Sequence, residues 1–149
     1  MNAFVAAGAG FLLAVLWLDL MFDVQTLGHG SGELPRTVLD SIGGYYARLT
    51  TGARPMNRLI ATVMLATLAA IIVEIANGRP SRWIAYASLA LAAFAIVLAG
   101  VRTVPSAVRL GGARDSVAGQ STLARAILRQ HLLCFASIIA VLTLQLASS

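Results

Sequence analysis

Four stretches of this sequence run for close to twenty residues with almost no charge, and that spacing decides what the chain can fold into. Met1 to Leu18 carries no charged side chain, and the apolar character continues through Met21 and Phe22. Leu59 to Ala76 is interrupted only by Glu74, Trp83 to Val101 is nineteen residues without a charge, and no charge follows Arg129. Each run approaches the roughly 20 residues that a helix needs to cross the hydrocarbon of a bilayer. The 149 residues are 58% hydrophobic and 11% charged, against roughly 25% charged in a soluble domain. A soluble fold of this size buries only about two-thirds of the surface that its unfolded chain exposes, too little to hide so much apolar area. A soluble enzyme, a disordered chain and a disulfide-stapled secreted module are excluded. The expected fold is all-α: an integral membrane, antiparallel four-helix bundle, a single domain over 1–149 with spans at about 3–22, 58–77, 83–103 and 124–147.

The first run lacks the basic start and small-residue cleavage site of a secretory signal, and is read as a retained span. All eleven basic residues are arginines. Four of them (Arg36, Arg48, Arg54, Arg58) lie between spans one and two, four (Arg102, Arg109, Arg114, Arg125) between three and four, and two (Arg79, Arg82) in the short turn between two and three. The positive-inside bias then puts the long loops in the cytoplasm and both termini outside, in a bacterial-type inner membrane. A net charge of +5 without a contiguous basic face gives no reason to expect nucleic acid. Cys134 is the single cysteine, so no intrachain disulfide forms. In the first loop, Val38, Leu39, Ile42, Tyr45, Tyr46 and Leu49 follow a helical period from Pro35 onward. An amphipathic helix over about 35–50, lying along the cytoplasmic interface, is expected there. The segment from Gly111-Gly112 through Thr122 reads as flexible, with Ser121 or Thr122 capping the fourth helix. Small residues, Gly10 and Ala14 in span one and the alanines of span three, are expected at helix contacts or between protomers of a homo-oligomer.

Ionisable groups inside a span are costly, so they are functional candidates. Asp19 and Asp23 stand at i and i+4 on one face near the end of span one. Asn57 and Arg58 open span two, Arg102 closes span three, and Arg129 and His131 open span four. With Tyr45 or Tyr46, these groups meet at one membrane level. Asp19 and His131 are the acid/base candidates, and Asp23, Tyr45, Asn57, Arg58, Arg102 and Arg129 the ligand-binding ones. The arginines offer a bidentate grip on a lipid phosphate or carboxylate. The alternative is structural: Asp19 paired with Arg102 or Arg58, Asp23 solvated, and the arginines snorkelling to the interface. Glu74 is expected to be neutralised by Arg79 or Arg82. His131 and Cys134 are one turn apart, but without CxxC, HExxH or further histidine ligands the sequence calls for no metal and no cofactor.

Pro55-Met56-Asn57 at the start of span two, Arg102-Thr103-Val104-Pro105 after span three and Arg129-Gln130-His131 at the start of span four carry a resemblance. In these places the chain resembles the four-span membrane proteins grouped with anthrone oxygenases and similar bacterial proteins. The resemblance implies a compact antiparallel bundle whose polar residues, Asn57 and His131 among them, meet near one membrane face. The expected function is binding of a hydrophobic or amphipathic small molecule or lipid at the inner end of the bundle. The alternatives are a cofactor-free oxygenase or isomerase with His131 as general base held by Asp19, a proton- or cation-coupled carrier working as a dimer, and a structural subunit of a larger complex.

Overall fold

In the computed structural model, residues 2–52, 54–78 and 82–148 are described, and among them the chain is all-helical. The elements are α1 (Asn2–Asp23), α2 (Arg36–Ala47), α3 (Arg54–Ala76), α4 (Arg82–Leu98), α5 (Val104–Gly111) and α6 (Val117–Ala147). Four segments are long and apolar enough to cross a membrane: Ala3–Thr26, Pro55–Ala76, Arg82–Gly111 and Val117–Ala147. The third joins α4 and α5 through a wide π-type turn at Ala99–Thr103. Pro105 lies in the first turn of α5. It has no N–H to donate back along the helix, and a widened turn absorbs that loss. Thr103 Oγ1 donates to Leu98 O across the turn, at 3.4 Å.

Around the ring of spans, α1 packs on α3 and α6, and α4 packs on the same two helices. The interior is layered along the bundle. Val5, Ile71, Ala92 and Val141 pack at one end, and Ala9, Leu12, Ala95, Cys134 and Ile138 in the middle. At the other end Leu39, Ile42, Tyr46, Ala107, Leu110 and Ile127 join α2 to α5 and α6. Outside this core Trp17, Leu18, Leu65, Trp83, Phe94 and Val97 are exposed, as a lipid-facing surface requires.

Three features add to the sequence reading. The apolar face of α2 packs on α5 and α6, with Gly43 against the carbonyl of Leu110 and Gly111 against the backbone of Ala47. The segment after span three is ordered: α5 occupies 104–111 and α6 starts at Val117, where Ser116 Oγ accepts from Gly119 N–H at 3.2 Å. A helix of 31 residues is about 46 Å long, so its first turns project past a hydrocarbon core of about 30 Å. That projection gives α2 and α5 a surface to dock on. Gly10 and Ala14 are exposed, and α1 instead approaches α3 at Gly8, where the Thr67 side chain occupies the space that a Cβ would need. Small residues serve close approach only on the face that meets a neighbour.

Two glycine substitutions separate these roles. A Cβ on Gly111 would lie 2.7 Å from Ala47 N, so Gly111→Ala is expected to cost about 1–3 kcal/mol through overpacking. Gly10 has nothing within 4 Å of its Cβ position, and Gly10→Ala is expected to be neutral or stabilising by up to about 1 kcal/mol. Denaturation of the two variants in mild detergent measures the difference. Equal midpoints would refute the contact between α2 and α5.

Candidate functional site

The last turn of α1 places Asp19 and Asp23 one above the other, facing inward, where they are 6% and 0% exposed. Two carboxylates at that depth require donors, since burying an ionised group without partners is prohibitive. The donors come from α2 and α6. Tyr45 OH donates to Asp19 Oδ1 at 2.7 Å, and Tyr46 OH donates to Asp23 Oδ1 at 2.7 Å. His131 Nδ1 lies 2.6 Å from Asp23 Oδ2, and its Nε2 lies 3.8 Å from Asp19 Oδ2. With Asp23 ionised, the short contact puts a hydrogen on Nδ1 and leaves Nε2 turned to the other carboxylate. Phe22 stacks flat on Tyr45, ring centroids 4.0 Å apart, and fixes that phenol in place.

The junction between α2 and α3 is built around the same cluster. A second π-type turn spans Arg48–Gly52. Thr50 Oγ1 donates to Tyr46 O at 2.7 Å, Thr51 bonds back to Ala47 O, and Asn57 Nδ2 donates to Thr50 O at 3.3 Å. Asn57 thus pins the start of span two to the end of α2.

Beside the cluster, between the spans, lies a cavity of about 360 Å³. Its walls are apolar side chains of all four spans, Leu12, Ile60, Met64 and Ile138 among them, and its polar end is formed by Asp19, Tyr46, Asn57 and His131. The lining residues Ala61, Val104 and Val108 are exposed, which places the mouth at the seam between α3 and α5.

Of the sequence candidates, Asp19, Asp23, Tyr45 and His131 come together, and Asn57 borders the same cavity. Arg58, Arg102 and Arg129 are exposed and outside its lining. Neither Arg58 nor Arg102 pairs with Asp19; the imidazole and the two phenols hold the acids instead, because α2 folds back under α1. Asp23, expected to be solvated, is the most enclosed of the group. It also takes the position beside the histidine that the sequence reading gave to Asp19. Tyr46, named in the sequence as the alternative to Tyr45, joins the cluster together with it, and Thr50 is an addition that no sequence pattern signalled. The ring separates the two carboxylates onto opposite nitrogens, so no single point lies within metal-ligand reach of all three groups. Arg125 is spent elsewhere, donating to Gly30 O at 3.0 Å and Gly32 O at 2.6 Å to fasten the loop after α1. Glu74 is buried at the far end of the bundle beside Gln145, whose Nε2 donates to Ser88 Oγ at 3.2 Å. Of the arginines set against Glu74 above, Arg82 is exposed and Arg79 lies outside the described residues.

The family model for ER membrane protein SH3, a chaperone family, matches residues 1–148. No curated protein and no solved structure matches the chain. The match overturns the resemblance to the anthrone oxygenases, which rested on short motifs at the ends of spans. It also overturns the bacterial inner membrane, since the family is one of the endoplasmic reticulum. Apolar runs and arginine-rich loops report a bilayer and not which bilayer. The chain belongs to this family and is a small multi-pass membrane protein.

Both phenols outside the spans have raised pKa values, first because of burial and then because Asp19 and Asp23 stand beside them. A raised folded-state value contributes stability that is complete below the unfolded phenol range of about 10 and is lost as pH rises from there through the folded-state value. Absorbance at 295 nm is expected to show two of the three tyrosines still protonated above that range while the fold holds. Early titration of all three would refute the buried cluster. Asp23→Ala leaves the Tyr46 hydroxyl and His131 Nδ1 without their acceptor, for an expected loss of about 3 kcal/mol. A double-mutant cycle with His131→Ala should give a coupling of about 1–3 kcal/mol; additive losses would mean that the 2.6 Å contact carries no energy.

Proposed function

We propose that this chain is a membrane chaperone of the endoplasmic reticulum whose working surface is the cavity between the spans. The observation that supports this is an apolar cavity with its mouth at the seam between α3 and α5 and hydrogen-bonding groups at one end only. A partly assembled membrane protein exposes side chains to lipid that belong against protein, and polar ones are the costly cases. A cavity of this composition receives such a side chain: the walls cover its apolar part, and the polar end satisfies what lipid cannot. The partner is accordingly a protein segment within the bilayer.

A second reading is favoured by size. About 360 Å³ falls within the roughly 300–1,000 Å³ of small-molecule sites, and an amphipathic molecule or a lipid chain fits as well as a client side chain.

A photoactivatable residue at Ala61, on the mouth of the cavity, distinguishes the two when compared with Leu65, exposed on the same helix. In membranes making polytopic proteins, Ala61 is expected to capture nascent membrane proteins and Leu65 mainly lipid. Ala95→Leu, which fills the cavity from a buried position, should lower the protein adducts several-fold. Protein adducts at equal yield from both positions would sink the cavity as the working surface. Lipid adducts alone, retained at Ala61 and lost on filling, would select the second reading.

A further inference from the structure

The charges at the polar end of the cavity do not balance. Asp19 and Asp23 are both buried, and His131 is the one basic side chain within 4 Å of either among the described residues. With both acids ionised, a neutral imidazole leaves two negative charges and a protonated one leaves one. Arg58, Arg102 and Arg129, the nearby cations in sequence, are exposed. The residual negative charge sits where the local dielectric is low and a compensating cation is worth most.

The geometry says where that cation goes. Asp23 is occupied on both oxygens, by Tyr46 and by His131 Nδ1. Asp19 is occupied on Oδ1 by Tyr45. Its Oδ2 and His131 Nε2 stand 3.8 Å apart, with side chains only 8% exposed, and neither atom has a direct hydrogen bond from the described residues. Asp19 and His131 both line the cavity. Two acceptors at that spacing, one of them charged, suit a group with several N–H donors and a positive charge; an ammonium has three. A hydroxyl has one donor and supplies no charge, and a carboxylate is repelled.

We infer that the cavity binds a cationic nitrogen carried on an apolar body, with the nitrogen between Asp19 Oδ2 and His131 Nε2 and the hydrocarbon along Leu12, Ile60 and Met64. The chemistry is shared by two sources: a lysine side chain in a client's membrane segment, or a free amphipathic amine. The inference rests on the cavity being a working site, and it names the class of guest.

Hexylamine, hexan-1-ol and hexanoate are the probes, titrated into the full-length protein in zwitterionic phosphatidylcholine nanodiscs. Binding is followed by calorimetry and by the imidazole ¹⁵N signals of His131. Hexylamine is expected to bind about tenfold or more tightly than hexan-1-ol, the worth of a charge-assisted hydrogen bond. It should move the Nε2 resonance, and hexanoate should not bind. Asp19→Asn should bring hexylamine down to the level of hexan-1-ol. Should that variant fail to fold, the comparison of probes on the unaltered protein still decides. Equal binding of amine and alcohol overturns the cation site and leaves the cavity as a binding site. Failure of both overturns the cavity reading with it. A leucine-rich membrane peptide with one lysine, set against the same peptide without it, separates the sources. Displacement of hexylamine by the lysine peptide alone assigns the site to a client segment. Hexylamine binding with no displacement assigns it to a free amine.

Discussion

Two carboxylates one helical turn apart, buried at the end of the first span, set the terms for the half of the structure that surrounds them. In a soluble protein such a pair finds water; at this depth three of the four oxygens take a donor from the protein. The donors are not on the same helix, nor on the arginine-rich loop ends nearby. They arrive because α2 turns back under α1 to present Tyr45 and Tyr46, and because α6 presents His131. The docking of α2 on α5 and α6, the close approach at Gly43 and Gly111, and the widened turn that returns the chain to span two all serve that arrangement. An amphipathic helix left on the membrane surface would keep its tyrosines at headgroup depth and leave the acids unmet.

The cavity follows from the same geometry. In the ring of spans, the described backbones of α1 and α4 stay apart, as do those of α3 and α6, so the axis is filled only by what the side chains reach across. Where those side chains are large, as at Ile71 and Val141, the layer closes. Toward the acid-bearing end α4 contributes Ala95 and then widens through Ala99–Thr103, and the space is not filled. The π-type turn thus has two effects. It accommodates Pro105 within a continuous span, and it carries α5 outward to meet α2. The cavity lies where those two effects meet.

How much of this was legible in the sequence varies by element. The four spans were, because a bilayer imposes length and composition directly. Asp19, Asp23 and His131 were, because an ionisable group within an apolar run is conspicuous. The pairing was not. A helical period shows that Tyr45 and Tyr46 share a face, but not whether that face meets lipid headgroups or protein. Deciding that requires knowing that α6 extends about three turns beyond the hydrocarbon, and its polar start, Val117 to Thr122, reads as a loop. For the same reason Asp23 passed as solvated: its partner lies 108 positions along the chain, beyond any local pattern. Arg58, Arg102 and Arg129 misled in the opposite direction, since arginines near a span end are placed by the interface and not by the nearest acid.

The contrast between the two ends of the bundle gives the acid cluster its meaning. Glu74 is buried as deeply as Asp23, yet it stands singly beside Gln145 and outside the lining of the cavity. At the other end the acids are doubled, the only basic partner among the described residues is shared between them, and Asp19 and His131 border open volume. A structural pair would have been cheaper with a single acid, or with one of the abundant arginines turned inward. Keeping two acids against one imidazole beside a cavity makes sense if part of the compensating charge arrives with the guest.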